Sequence, residues 1–253
     1  MTADFIVVIP ARYASTRLPG KPLADIGGRP MIEWAYRQAK RSGAREVIVA
    51  TDDERIASAC RSFGAPVELT SVDHANGTDR VAEVADRFAW DEQQIVVNVQ
   101  GDEPLIPPPC IAQTAQLLAS HPQAAIATLM APIQDAAELA DVNVAKVVTD
   151  REGWALYFSR APIPWARADG WRGAKKHIGL YAYRAGGLKA ISAAPACALE
   201  ETERLEQLRA LWLGLRIIVG ESAAPASPHV ETNEDLMKIR RYIQDHAIRL
   251  EQA

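Results

Sequence analysis

Three short, continuous apolar runs are the feature that most constrains how this chain can fold. They lie at residues 5–9, 47–50 and 95–97. Because a strand with one exposed face alternates apolar and polar residues, uninterrupted runs of this length are typical of strands covered on both faces. We therefore expect central parallel strands in an α/β sheet.

The segments between these runs have helical spacing. Apolar side chains recur at intervals of three and four residues after Pro30 and again after Gly77, which predicts a helix in each segment and a βαβ alternation. Shorter apolar runs predict further strands, so the expected sheet is mixed. These additional runs lie at residues 125–130, 144–149, 178–183 and 216–219.

The end of the sequence predicts a docked helix. Leu236, Ile239 and Ile243 begin an apolar stripe that continues to residue 250, and Thr232 with Asp235 gives a start resembling a capping box. Between the better-defined elements, residues 162–176 combine proline, glycine and mixed charge, which is typical of a mobile connection. No independent domain is expected there.

Composition excludes several classes of protein. The 253 residues carry a formal net charge of only −4, so the whole chain has no electrostatic reason to bind nucleic acid or an anionic membrane. Cys60, Cys110 and Cys197 are widely spaced and form no CxxC motif. The apolar run at residues 5–9 is too short for a signal peptide or a membrane span. We therefore expect a cytoplasmic protein.

The most informative polar segment follows the first predicted strand. Residues 10–21 contain Arg12, Arg17 and Lys21 with the hydroxyl of Ser15 and a glycine, Gly20. Ligands of open α/β sheets bind beyond the carboxyl ends of strands, and cations with exposed backbone N–H groups suit a polyphosphate. The segment matches neither a Walker A loop nor a GxGxxG fingerprint. A charged surface loop is the alternative.

Two further strand ends carry carboxylates. Asp52 and Asp53 follow the second strand, where an Asp before a helix is most simply an N-cap. Asp102 follows the third strand within residues 98–104. Its carboxylate could hold Mg²⁺ against substrate phosphates, or it could be a turn residue, and local sequence leaves both interpretations open.

Residues 74–80 form a polar turn before a predicted helix. The free N–H groups of that helix start could face a ligand, although a capped helix start is the simpler interpretation. The five histidines show no HxxxH or HExxH spacing, and no GxSxG elbow is present. Zinc catalysis and a covalent nucleophile are therefore disfavoured.

Together these segments resemble the 3-deoxy-manno-octulosonate (Kdo) cytidylyltransferases, also called CMP-Kdo synthetases. The resemblance covers nearly the whole chain, and several long motifs occur in the same order. They are IPARYASTRLPGKPL at 9–23, VNVQGDEPLIP at 97–107, ALYFSRAPIPW at 155–165, HIGLYAYR at 177–184 and LEQLRALW at 205–212.

The resemblance implies a fold and a reaction. The fold would be a single Rossmann-like nucleotidyltransferase domain, in which residues 1–130 mainly bind CTP, 131–230 mainly bind the sugar and form a homodimer, and 231–253 form the C-terminal helix. In the reaction, the 2-hydroxyl of Kdo would attack the α-phosphorus of CTP in the presence of Mg²⁺, giving CMP-Kdo and pyrophosphate. Such chemistry needs positioning and charge neutralisation more than covalent catalysis.

The resemblance also assigns roles to individual residues. The catalytic residues would be Arg12, Lys21 and Asp102. CTP would contact Arg12, Ser15, Arg17, Lys21, Gly77 and Arg80. The sugar would contact Gln100, Arg160, His177, Tyr181, Glu206 and Gln207, with Arg160 available to pair with the sugar carboxylate. The metal ligands would be Asp102 and Glu231.

Plainer interpretations of the sugar-side residues stay open. His177 and Tyr181 lie on a predicted strand and would then be packing residues, while Glu206 and Gln207 would belong to a solvated helix face.

Two departures from the family pattern bear on these roles. The family usually reads V-D-T-P-E-D-L near its C-terminus, where this chain has V-E-T-N-E-D-L, so Glu231 replaces an Asp. The extra methylene changes metal geometry, and Glu231 could instead favour the positive end of the next helix. The connection at 167–176 is also shorter than in many relatives. An 8-amino analogue of Kdo is therefore an alternative substrate.

Two rival functions remain at this stage. An inverting glycosyltransferase would consume a sugar nucleotide and commonly carries a D-x-D motif, where this chain has Gly101, Asp102 and Glu103. A nucleotide-binding sensor would keep the loop at 9–23 without turnover, and only the change at Glu231 suggests it.

Overall fold

The predicted apolar runs form neighbouring strands of one sheet. The computed structural model describes residues 3–15, 17–167, 173–225, 227–246 and 248. The strands are β1 Phe5–Ala11, β2 Asp25–Ile26, β3 Arg29–Pro30, β4 Glu46–Thr51, β5 Val67–Leu69, β6 Ile95–Asn98, β7 Ile126–Pro132, β8 Lys146–Thr149, β9 Ala155–Ser159, β10 Lys175–Arg184 and β11 Ile217–Glu221. The α-helices are α1 Met31–Lys40, α2 Glu54–Ser62, α3 Gly77–Arg87, α4 Pro108–Ala119, α5 Ala136–Ala140, α6 Ala185–Ala193, α7 Ala198–Glu203, α8 Gln207–Trp212 and α9 Asn233–Asp245, and a 3₁₀ helix spans Lys21–Leu23.

The main sheet is mixed, as the sequence predicts. Its strand order is β11-β7-β10-β6-β1-β4-β5, and β8 with β9 extends it beside β10. Strands β6, β1, β4 and β5 are parallel to one another, whereas β10 runs antiparallel to both β6 and β7. The expectation of an α/β fold with helices around the sheet is confirmed.

The central strands are covered on both faces, which explains their unbroken apolar sequences. In β1, Val7 and Ile9 belong to one core cluster with side chains of α1, α2 and α4. Ile6 and Val8 belong to a second cluster with side chains of α3, α6 and α8. Because successive side chains of a strand point to opposite faces, both faces of β1 must be apolar.

The order of the strands creates a switch point beside β1. From β1 the chain continues to β4 and β5 on one side, and then returns to place β6 on the other side. In open α/β sheets a crevice forms at such a point, outside the carboxyl ends of the strands. The segments that follow β1 and β6 therefore face each other across a crevice.

The C-terminal helix begins as predicted. The Thr232 hydroxyl accepts a hydrogen bond from the Asp235 N–H, and the Asp235 carboxylate accepts one from the Thr232 N–H, which completes a capping box at the start of α9. Leu236, Ile239 and Ile243 pack in a third core cluster. The rest of the predicted stripe, residues 247 and 250, lies outside the described residues.

Some elements differ from the sequence expectation. The strand expected at 144–149 begins at Lys146, and strands β5 and β9 were not predicted. β5 has only three residues, and β9 gains its strand character from pairing with β8. Of the predicted mobile connection at 162–176, residues 168–172 lie outside the described part of the chain.

Cys60, Cys110 and Cys197 are buried free thiols. Among the described residues, none of the helices has both the length and the apolar character that a membrane crossing requires.

Candidate active site

A cavity of about 450 Å³ lies at the switch point between β1 and β6. Segments that are distant in sequence line it, which places the chemically rich strand ends in one site. The lining residues are Pro10, Ala11, Arg12, Ser15, Arg17, Lys21, Pro22, Ala75, Asn76, Gly77, Arg80, Gln100, Gly101, Asp102, Glu206 and Glu231.

The loop after β1 contributes three cations to this cavity. Lys21 Nζ lies 2.5 Å from Asp102 Oδ2, so the loops after β1 and β6 are joined by an ion pair. Arg17 forms an ion pair with Glu231. Arg12 is exposed and has no polar partner among the described residues. The cavity therefore contains one guanidinium ready to bind an anion and two cations already paired with carboxylates.

The two predicted metal-binding carboxylates lie in the same cavity. The Val230 N–H donates to the Asp102 carbonyl over 2.9 Å, which holds Glu231 near the loop after β6. Glu231 does not cap the following helix, because Thr232 and Asp235 do. Within the described ranges, no group of three or more His, Cys, Asp or Glu side chains forms a metal-binding cluster.

Glu103 adds a third acidic group beside Asp102. Burial, with a smaller contribution from the neighbouring Asp102 charge, raises the pKa of the Glu103 carboxyl to about 8. Burial at this position therefore favours the neutral carboxylic acid form of Glu103.

The start of α3 forms another wall, and its helix is capped as expected. The Asn76 side chain accepts a hydrogen bond from the Asp79 N–H over 2.8 Å. A Cβ atom on Gly77 would lie 3.1 Å from Pro10 Cγ, so Gly77 permits close packing against the end of β1. This start of α3 is therefore fixed directly against the loop after β1.

Arg80 lines the cavity from a buried position. Its guanidinium is held by Asp52 at 2.7 Å, by the Ser71 carbonyl at 3.2 Å and by the Thr70 hydroxyl. Asp53 is the N-cap of α2, as the sequence favours, because its carboxylate accepts from the Arg55 N–H. The two carboxylates after β4 thus have different roles. Asp52 orients Arg80 through an ion pair, and Asp53 is the N-cap of α2.

Three of the residues expected on the sugar side lie at or beside the cavity. Gln100 and Glu206 line it, and Glu206 accepts a hydrogen bond from the Thr78 hydroxyl over 2.9 Å. Desolvation, followed by nearby acidic charges, raises the pKa of Glu206 even though Thr78 lowers it. The adjacent Gln207 is buried, and its amide nitrogen has no hydrogen-bond partner in the described part of the chain. An unsatisfied buried donor is unusual in a folded protein.

His177 and Tyr181 lie on β10, outside the cavity lining. His177 Nε2 and Thr128 Oγ1 are 2.9 Å apart, and the His177 ring packs 5.0 Å from Phe158 and 5.3 Å from Tyr181 between centroids. Desolvation lowers the pKa of His177 to about 3, so its imidazole is neutral at physiological pH. Desolvation also raises the pKa of Tyr181, which stays a phenol.

Arg160 also lies outside the cavity lining. Its guanidinium donates to the carbonyls of Glu203, Val142 and Arg204 at 2.7, 2.8 and 3.3 Å. Its own carbonyl accepts from the buried Lys146 ammonium over 2.6 Å. In this structure the Arg160 guanidinium therefore binds two backbone segments, at Val142 and at residues 203–204, beside the end of β9.

Sequence reasoning assigned no role in the site to several residues that lie in or beside the cavity. Asn76, Pro10 and Gly101 line the cavity through backbone geometry and capping, and Asp52 acts through Arg80. Their position directly beside polar strand ends was the available signal, but residue type alone does not reveal a packing or orienting role.

Comparison with known proteins agrees with the class that the fold and the cavity define, a nucleotide-binding α/β enzyme. A family model described as cytidylyltransferase matches residues 6–217. Two proteins named 3-deoxy-manno-octulosonate cytidylyltransferase, from Pseudomonas syringae pv. tomato and Pseudomonas fluorescens, are each 53% identical, with 96% of this chain and 100% of theirs covered.

A solved structure has the same fold. It is a CMP:2-keto-3-deoxy-manno-octonic acid synthetase complexed with CTP, which is 42% identical with a TM-score of 0.90. The alignment covers 96% of this chain and 100% of that chain. The chain described here therefore belongs to the 3-deoxy-manno-octulosonate cytidylyltransferase family.

Gly101 generates a prediction about the floor of the cavity. A Cβ atom there would lie 3.1 Å from the Pro10 carbonyl oxygen and 3.2 Å from Ile32 Cδ1. Because a backbone oxygen of β1 cannot move aside freely, we expect Gly101→Ala to lower the free energy of unfolding by about 1–3 kcal/mol and to weaken CTP binding. Denaturant titration and calorimetry measure the two effects.

Gly179→Ala is the control, because a Cβ atom on Gly179 would have no neighbour within 4 Å. Equal stability and equal CTP affinity of the two variants would contradict the prediction.

Proposed function

We propose that this protein transfers CMP from CTP to the 2-hydroxyl of Kdo and releases pyrophosphate. The observation that carries the proposal is the cavity in which Arg12 is unpaired beside the contact between Lys21 and Asp102. Such a site suits a triphosphate, and the curated relatives carry the name of this reaction. The product is an activated sugar for lipopolysaccharide synthesis.

The side chains perform this reaction by positioning and by neutralising charge. Arg12 and Lys21 bind the triphosphate, and they stabilise the negative charge that develops as pyrophosphate leaves. Arg17 and Ser15 support them in the same loop, while Gly77 and Arg80 seat the nucleotide from the start of α3. No covalent enzyme intermediate is needed, because the sugar hydroxyl is itself the nucleophile.

The acidic residues of the cavity fit Mg²⁺. Asp102 and Glu231 offer oxygen ligands from two loops that are tied together by the hydrogen bond from Val230 to Asp102. Mg²⁺ is commonly held by one or two carboxylates together with substrate phosphates, so this donor set is sufficient. When bound, the ion neutralises phosphate charge; Lys21 and Arg17 would then exchange carboxylate partners for phosphate oxygens.

The sugar binds beside Gln100, Glu206 and Gln207. The unsatisfied buried amide of Gln207 supports this placement, because a sugar hydroxyl or carboxylate would give it an acceptor. Neutral His177 and phenolic Tyr181 provide hydrogen bonds from β10 without adding charge. Arg160 binds the sugar carboxylate if the sugar replaces some of its three backbone carbonyl partners.

The protein acts as a cytoplasmic homodimer. Its three free thiols suit a reducing compartment. Exposed apolar side chains on β9, on the end of α8 and in the adjoining loops give a second copy a surface to bury, namely Val142, Leu156, Trp165 and Trp212.

The reaction itself is tested with purified protein, CTP, Mg²⁺ and Kdo. We expect pyrophosphate and CMP-Kdo, and we expect Lys21→Met to reduce kcat about 10²- to 10³-fold, because a cation at the triphosphate is lost. Lys40→Met, an exposed lysine at the end of α1, is the control. Faster turnover with 8-amino-Kdo would identify that sugar as the substrate, whereas consumption of a sugar nucleotide without use of CTP would indicate a glycosyltransferase.

The role of Glu231 is tested by its dependence on metal. We expect Glu231→Gln to raise the Mg²⁺ concentration for half-maximal turnover about 10- to 100-fold, as loss of a metal-site group does elsewhere. Glu234→Gln, in the first turn of α9, controls for charge at the helix start. Equal metal dependence in all three proteins would remove Glu231 from the metal site. An inert parent that gains turnover from Glu231→Asp would support the sensor instead.

The oligomeric state is tested by light scattering. We expect a mass about twice the 27.6 kDa of one chain, and we expect the double change Leu156→Glu with Trp212→Glu to give monomers, because buried unpaired charge destabilises an interface. A parent that is monomeric at micromolar concentration would contradict the proposed dimer.

A further inference from the structure

The ring of Tyr13, in the loop after β1, contacts both a glycine and an arginine. A Cβ atom on Gly20 would lie 3.2 Å from ring atoms of Tyr13, so glycine leaves room for the ring, and Gly20 has φ +67°. Arg55 Cζ lies 3.3 Å from the centroid of the Tyr13 ring. This is the geometry of a cation–π contact.

Arg55 is itself held in a fixed orientation. Its Nε and Nη2 atoms donate to the two oxygens of Asp53 at 2.9 and 2.6 Å, which forms a fork-shaped ion pair. Asp53 also caps α2 by accepting from the Arg55 N–H. The hydrogen bond from the Arg55 side chain is the main reason that the pKa of Asp53 is lowered. The start of α2 thus holds the planar guanidinium of Arg55 against the Tyr13 ring.

Two backbone hydrogen bonds connect the loop around Tyr13 to Lys21. The Gly20 N–H donates to the Tyr13 carbonyl over 3.1 Å, and the Lys21 N–H donates to the Leu18 carbonyl over 3.1 Å. Lys21 then begins the 3₁₀ helix and reaches Asp102. Both the backbone and the ring of Tyr13 therefore contact Gly20, the residue directly before Lys21.

Neither Arg55 nor Tyr13 lines the cavity, so neither is placed to touch CTP in this structure. We propose that Arg55, oriented by Asp53 and in contact with the Tyr13 ring, is a positioning residue that holds residues 12–15 and 17–21 in the shape that receives the triphosphate. The proposal rests on the function proposed above. Its physical basis is preorganisation, because a loop that is already ordered loses less conformational entropy when the ligand binds.

The test replaces Arg55 and follows three binding properties. Arg55→Met keeps the length of the side chain and removes its charge and fork. We expect the KM for CTP to rise about two- to fivefold, the range that corresponds to an exposed cation–π contact, with a kcat within twofold of the parent. The KM for Kdo and the affinity for CMP should stay unchanged, because neither ligand needs the triphosphate loop. A general loss of structure would weaken all three.

Three comparisons test whether the effect comes from the contact between Arg55 and Tyr13. Arg61→Met removes another arginine of α2, one that pairs with Glu54 rather than with Asp53, and should leave the KM for CTP unchanged. Tyr13→Leu should raise this KM as Arg55→Met does, and the double variant should add little to either change. Arg55→Lys should restore the KM only in part, since an ammonium cannot form the fork with Asp53.

The outcomes separate the inference from the function on which it rests. A parent that binds no CTP and releases no pyrophosphate would defeat the proposed function. An active parent whose Arg55→Met variant keeps the parent KM for CTP, or weakens CTP, CMP and Kdo binding equally, would overturn the role of Arg55 alone. Full additivity of the Arg55 and Tyr13 changes would also overturn it, because the two side chains would then act independently.

Discussion

The parallel pairing of β1 with β6 is the constraint on which the rest of the site depends. Both strands are buried on two faces, so polar residues can follow only where each strand ends. Because the two strands pair in parallel, with Val8 opposite Asn98, their carboxyl ends lie side by side. The cationic loop after β1 therefore meets the acidic loop after β6, and the ion pair between Lys21 and Asp102 joins them.

Elements whose pattern reflects burial could be predicted from the sequence. The runs that became β1, β4 and β6 had no polar interruption, and the capping box at Thr232 had its two residues at the required spacing. β9 was missed because its burial is not uniform: Leu156 is exposed, whereas Phe158 and Ser159 are buried. Local sequence specifies an element well only when the element's environment is uniform along its length.

The residues of the site were predictable as a set, but their partners were not. Arg12, Lys21 and Asp102, which the resemblance groups as catalytic residues, line one cavity, and their catalytic roles stay predictions. Spacing in the sequence cannot show that Arg80 pairs with Asp52, or that Arg160 is held by carbonyls of distant segments. These contacts depend on how the chain packs across the sheet, and the same arginine could serve a ligand or a backbone. The role of each sugar-side residue stays a prediction for this reason.

The ion pairs inside the cavity also decide what kind of anion can enter. Lys21 and Arg17 are each neutralised by a carboxylate, so the site presents little free positive charge beyond Arg12. An anion that uses Lys21 or Arg17 in addition to Arg12 has to displace Asp102 or Glu231 from its cation. A small anion can contact Arg12 without breaking either ion pair, whereas an anion long enough to reach all three cations has to break both. The resting pairs therefore couple the entry of a long anion to the release of two carboxylates.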